Sequence, residues 1–166
     1  MEVNNMNAFV DTNGILVSWG YAEANNGDTL VEVPETFSMT PGEAQYANGV
    51  WSAYTAPVTP AAIATAAFGA GLAIVSTSTP ALNGTYAVSQ LNQMDIIAIE
   101  TSLNAGKGFP GGATAFNYAD MSGTMHAFTA ANFSDFAAAI RDYVYALNSV
   151  VAGASTTIPA STTTIA

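Results

Sequence analysis

His126 is the only histidine in the chain, and a lone imidazole needs a partner before it does chemistry. General-base catalysis asks for a group that orients the ring, and a metal site asks for further ligands. In Thr124-Met125-His126-Ala127-Phe128 the side chains alternate, so the sequence places His126 mid-strand, at the surface or partly buried, with one hydrogen bond. Asp11-Thr12-Asn13-Gly14 begins like a calcium loop, with oxygen-bearing side chains ahead of a glycine. Ile15-Leu16-Val17 follows at once, where a cation would require more oxygen ligands and a closing glutamate. A hairpin turn accounts for these residues better.

Two-carboxylate hydrolysis would draw on Glu32 with Glu35, or on Asp95 with Glu100. Glu32 alternates with Val31 and Val33, which points it to solvent. Asp95 and Glu100 stand five apart on a predicted helix and do not share a face. Gly106-Lys107-Gly108-Phe109-Pro110-Gly111-Gly112 has the glycines and the lysine of a phosphate loop without its spacing. Lys107 ends a helix there and complements its dipole, whereas a phosphate loop opens one. The residues therefore assign no catalytic, cofactor-binding or metal-binding side chain, and the chain is not expected to be an enzyme.

The elements that hold these residues divide the chain. Residues 1–54 read as a small antiparallel β-meander, with strands over 8–11, 15–20, 29–33, 44–47 and 50–54. The pairs Asn13-Gly14, Asn26-Gly27 and Asn48-Gly49 predict tight hairpin turns, since both residues tolerate positive φ. Ile15, Val17 and Trp19 share one strand face by the period of two. With Phe9, Val31, Val33, Phe37, Trp51 and Tyr54, Trp19 forms the expected core. Residues 55–60, with Pro57 and Pro60, read as a stiff linker.

An α+β unit is predicted over 61–148, in the order α-β-β-α-β-β-α, its helices lying over one face of an antiparallel sheet. Its helices fall at 61–68, 90–104 and 130–148, and its strands at 72–77, 85–88, 114–118 and 124–128. Leu91, Met94 and Ile97 define the apolar face of the second helix, flanked by Ile96, Ile99 and Leu103. Phe133, Phe136, Ala137, Ile140, Val144 and Leu147 define that of the third. Residues 149–166, rich in Ser and Thr, form an extended tail, disordered alone and suited to pairing with a neighbour's sheet edge.

The 166 residues suffice for one ordinary domain or two small ones. Half are hydrophobic, yet 8% are charged: twelve carboxylates against Lys107 and Arg141, for a net charge of −10. That balance excludes the clustered cations of a nucleic-acid binder and argues against an anionic membrane surface. No stretch is long and apolar enough for a membrane-spanning helix, and Met1-Glu2-Val3-Asn4-Asn5 lacks the basic start of a secretory signal. The absence of cysteine removes disulfides and thiolate chemistry. With few long charged side chains to immobilise, such a surface loses little rotamer entropy on packing against another subunit.

Ser76-Thr77-Ser78-Thr79-Pro80-Ala81-Leu82-Asn83-Gly84-Thr85-Tyr86, the glycine-rich loop at 106–112, and Gly123-Thr124-Met125-His126-Ala127-Phe128-Thr129 before a final helix occur in a familiar order. That order resembles a small domain in virion proteins of tailed bacteriophages. The stretch from Ala8-Phe9-Val10-Asp11-Thr12-Asn13-Gly14 to Asn48-Gly49-Val50-Trp51-Ser52-Ala53-Tyr54 is similar to the leading part of small tail-fibre-associated phage proteins. The resemblance implies a structural component of the virion, at the tail or tail fibre, serving as adaptor, cap or tip module. It implies other virion proteins and copies of the chain itself, as a trimer, as partners, and carries over no enzymatic residue or cofactor. A tail-fibre assembly chaperone that leaves the particle and a head decoration protein are the alternatives. The chain has neither repeat nor sustained heptad, so it is not itself a fibre shaft.

Overall fold

The structure, a computed structural model, describes residues 6–25 and 27–166. The fold is α+β, and the chain divides between Pro57 and Val58 into two compact units. In the first unit β1 (Met6–Val10), β2 (Leu16–Gly20) and β3 (Thr29–Val33) form an antiparallel sheet in the order β2-β1-β3. A separate hairpin follows, β4 (Ala44–Ala47) and β5 (Val50–Ala53). Its two-residue turn is Asn48-Gly49, with φ of 52° and 82°, the left-handed pair that a type I′ turn requires. The turn expected at Asn26-Gly27 involves Asn26, which lies outside the described residues.

The inward face expected of β2 needs correction. Phe9 pairs with Ser18 but Val10 pairs with Leu16, so Val17 is an extra residue in the ladder. Beyond such a bulge the strand alternates in the opposite phase, with Leu16 buried and Val17 and Trp19 exposed. Leu16 thereby joins Met6, Ala8, Val33 and Ala44 in the buried cluster, with Val31, Phe37, Met39 and Trp51 packed against it. Val17 and Trp19 are substantially exposed; the Trp19 indole N–H donates to the Met39 carbonyl at 2.8 Å, and its ring meets Phe37 edge-on. Phe9 is buried outside this cluster, and Tyr54 is only half-buried.

In the second unit α1 (Pro60–Ala70) starts behind Thr59, whose hydroxyl accepts the Ala62 N–H, with Pro60 at the first helical position. Gly71, at φ 78°, ends it; a Cβ there would come within 2.6 Å of the Tyr86 carbonyl oxygen and the Met121 sulfur. The order continues as β6 (Leu72–Ser76), β7 (Gly84–Tyr86), α2 (Gln90–Asn104), β8 (Phe116–Ala119), β9 (Met125–Phe128) and α3 (Ala130–Val151). Ser89 caps α2 and Thr129 caps α3 through their hydroxyls. Every apolar residue expected on α3 is buried, joined by Tyr143 and Val150. Phe136 packs on Tyr86 and Phe128 with ring centroids 4.8 and 5.0 Å away.

Two expectations fail here. The apolar face assigned to α2 is largely outside: Leu91, Met94 and Ile97 are exposed, and the helix buries Ile96 with Ile99 and Leu103 partly covered. Positions spaced three apart drift by about 60° per step, so Leu91, Met94 and Ile97 wrap away from any one neighbour. The tail, in turn, folds onto its own chain. Its last strand, β10 (Thr162–Ile165), pairs in parallel with β6, from Thr162 opposite Ala73 to Ile165 opposite Ser76. The unit therefore holds a mixed sheet, β10-β6-β7, and a separate β8-β9 hairpin, where one antiparallel sheet was expected. Ile165 is buried and Ile158 packs against the same core.

Ile165→Ala should destabilise the free protein by about 2–4 kcal/mol, the range for emptying a buried aliphatic site. Removing residues 154–166 should lower its thermal unfolding temperature further. Denaturant titration and a thermal melt followed by circular dichroism check both.

Candidate functional site

The residues with chemical potential gather in two places of the second unit. The first lies beneath the β8–β9 hairpin. Tyr118 opposite His126 and Ala119 opposite Met125 set the register, so the turn residue Asp120 returns to face the histidine. The Asp120 Oδ1 accepts the N–H groups of Ser122 and Thr124 and the Ser122 hydroxyl, which fixes the turn. Its Oδ2 lies 3.2 Å from the His126 Nε2, and the two side chains are 10% and 7% exposed. The other ring nitrogen, Nδ1, sits 2.6 Å from the Ala81 carbonyl. Both nitrogens thus face oxygen atoms.

The surroundings are shaped for this pair. A Cβ on Gly84 would stand 2.9 Å from the Asp120 Oδ2 and 3.2 Å from the His126 Nε2, so glycine leaves the space that the pair fills. The Tyr86 ring packs 5.5 Å from the imidazole, and its hydroxyl donates to the Leu82 carbonyl at 2.7 Å. Burial, and then the negative charge of Asp120, push the Tyr86 hydroxyl far above its ordinary value. The Ser122 hydroxyl, followed by His126 and the backbone donors, holds the Asp120 carboxyl down at about 2 against the pull of burial. Among the described residues no buried side-chain nitrogen or oxygen lacks a partner. The cluster clamps the hairpin to the Pro80–Leu82 turn, and His126 makes two hydrogen-bonded contacts where the sequence suggested one.

The second place is a groove of about 460 Å³ between α2 and α3. Ile96, Ile97 and Glu100 line one wall and Ala137, Arg141, Val144 and Tyr145 the other. Glu100 accepts from the Ser134 hydroxyl at 3.0 Å and from the Asn104 amide at 3.1 Å. Ile97 stands at the groove, whereas Leu91 and Met94 are exposed farther around α2. The sequence assigns all three to the core; the signal it held was an excess of apolar positions around α2, more than one neighbour covers.

The remaining candidates are local structure. Asp11 Oδ1 accepts the N–H groups of Asn13 and Ile15, forming the β1–β2 turn with Gly14 at φ 77°. The Gly106–Lys107 segment closes α2: the Gly106 N–H donates to the Leu103 carbonyl and the Lys107 N–H to that of Ser102. Asp95 is exposed and Glu100 half-buried, so the structure does not bring them together; Glu32 and Glu35 are exposed on the first unit. Among the described residues no three His, Asp or Glu side chains converge as metal ligands, and no helix is long and apolar enough to cross a membrane. Comparison with protein-family models, with curated proteins and with solved structures gives no match.

The depressed Asp120 carboxyl makes stability pH-dependent in a defined sense. Protonation is easier in the unfolded chain, at 3.8, than in the fold, at about 2, so this contribution is complete above 3.8 and is lost as pH falls through about 2. Acid titration followed by circular dichroism should show that loss in the native chain and a flatter profile in Asp120→Asn. Gly84→Ala should cost about 1–3 kcal/mol in denaturant titration, because the added methyl displaces the pair.

Proposed function

We propose that this chain works by protein–protein assembly, as a structural component of a bacteriophage virion at the tail or tail fibre. The observation that carries the assembly reading is the apolar surface that α2 leaves outside the core. Leu91, Met94 and Ile97 are exposed around the helix, and Ile97 lines the α2–α3 groove. Apolar surface left out of the core in this way is the usual mark of a contact surface. The side chains best equipped for chemistry, His126 and Asp120, are held against each other and against backbone inside the unit. The assignment to a phage particle rests on the resemblance of the Ser76–Tyr86, Gly106–Gly112 and Gly123–Thr129 segments to phage virion proteins. Partners in this reading are other virion proteins and copies of the chain; a sequence with twelve carboxylates and two cations is unsuited to nucleic acid.

Mass spectrometry of purified particles should recover peptides of this chain at near-stoichiometric levels. Lys107 and Arg141 are the only tryptic sites, so a protease cutting at aromatic or acidic residues is required. Absence of the peptides overturns the structural role and supports the assembly chaperone in its place.

A further inference from the structure

We infer that the α2–α3 groove seats a basic amphipathic helix of another protein, with the apolar stripe of that helix along the floor and one of its cations against Glu100. The inference rests on the assembly reading above and adds the chemistry of the partner. Shape is the first argument. Gln93, Ile96, Ile97, Glu100, Thr101 and Asn104 recur every three or four positions along α2, and the α3 wall runs from Ser134 to Asn148. Both walls are thus helix faces, and the groove between them is a trench of about three turns, roughly 16 Å long. Ile96, Ile140 and Val144 are buried in its floor, and Ile97 and Tyr145 stand exposed at its sides. The small Ala137 and Ala138 let an incoming helix approach closely.

Backbone bonding is the second argument, and it separates a helix from an extended peptide. Every residue that lines the groove belongs to α2 or α3, whose main-chain groups are bonded along the helices. The groove therefore offers no row of free N–H and C=O groups such as a sheet edge presents. An extended peptide would leave its own main-chain groups unpaired against the apolar floor. A helix brings its backbone already paired and lays apolar positions i, i+3, i+4 and i+7 into such a trench.

Charge is the third. The helices α2 and α3 carry Asp95, Glu100, Asp135 and Asp142 against Arg141 alone. Glu100 is half-buried in the groove wall, accepts from the Ser134 hydroxyl and the Asn104 amide, and among the described residues has no ion pair. Arg141, on the opposite wall, is exposed and already paired with Asp142 at 2.8 Å. Among the described residues the uncompensated charge of the groove is thus a carboxylate beside an apolar floor, where an opposite charge gains more than in open water. On a chain of net charge −10, a second copy is repelled and a basic partner is drawn in.

The probe is a fluorescein-labelled helical peptide of Leu, Ala and Lys, about 18 residues long and so able to span the groove. Fluorescence anisotropy with the full chain at low salt should show saturable one-to-one binding. That binding should be about tenfold tighter than for the same peptide with Glu in place of Lys, or for a scrambled peptide without the apolar stripe. Glu100→Gln, which keeps the side-chain volume, should weaken the Lys peptide several-fold and leave the acidic one unchanged. Ala138→Trp, which fills the trench, should abolish binding while leaving the circular dichroism melt in place. Glu35→Gln, in the first unit, should change nothing. No saturable binding of the Lys peptide, equal binding of the scrambled one, or binding unchanged in both groove variants overturns the proposal. A two-chain mass in light scattering that Ala138→Trp returns to one chain gives the groove to a second copy and overturns it as well. Failure of the Lys peptide together with stoichiometric peptides of this chain in particles leaves the virion reading standing. Binding with absence from particles does the reverse.

Discussion

The second unit depends on one contact, that of α3 with the strands beneath it. Phe136 meets Tyr86 from β7 and Phe128 from β9, Phe133 adds a second contact to Phe128, and those two strands belong to different sheets. No ladder joins the sheets, although the Met121 N–H reaches the Thr85 carbonyl at 2.8 Å. What keeps them in register is a shared aromatic layer, extended by Phe109, Phe116 and Tyr118. Large rings packed edge to face bury much area and tolerate few alternative arrangements. The mixed sheet and the hairpin are therefore parts of one core, although each by itself would be a marginal β structure.

The polar clamp under the hairpin works with that layer. His126 borders Tyr86 on one side and reaches Asp120 and the Ala81 carbonyl with its nitrogens. A buried ring with two acceptors is directional in a way that the aromatic packing is not. It fixes which way the β8–β9 turn lies, and Gly84 makes room for it. The carboxylate is itself fixed by the Ser122 and Thr124 donors before it meets the ring, so the arrangement is preorganised from the turn outward.

How much of this was legible in the chain follows the range of the interactions. The turn at Asn48-Gly49 depends on a few neighbouring residues, and was readable. The α3 stripe was readable because a single face is buried along its length. On α2 the apolar positions exceed one face, and the period alone does not say which subset meets the core. On β2 the bulge at Val17 reverses the alternation through a pairing with β1 that local sequence does not encode. The Thr-rich β10 has no apolar pattern to betray it; its place is set by β6 and by the burial of Ile165. Of the clamp, the histidine was visible and its partner was not, because Asp120 reaches it only when the hairpin closes. The α2–α3 groove was hidden for a different reason, its residues having been assigned to the core.

The parallel pairing of β10 with β6 has a consequence in time. Ser76 donates through its hydroxyl to the Ala166 carbonyl across 90 positions of chain. Contacts of such separation close late, since the intervening loop must first be drawn together. During synthesis β6 therefore waits with one edge bare while α2 and α3 emerge and find their places. Ala73-Ile74-Val75 on that edge is short, uncharged and β-prone, the kind of strand that accepts whichever partner arrives first. Where many copies are made together, the competitor nearest in kind is the same Thr-rich segment of another chain. Correct closure is then a race between an intramolecular strand at high effective concentration and its identical counterpart from a neighbour, and the length and stiffness of residues 152–161 decide how often the native ending wins.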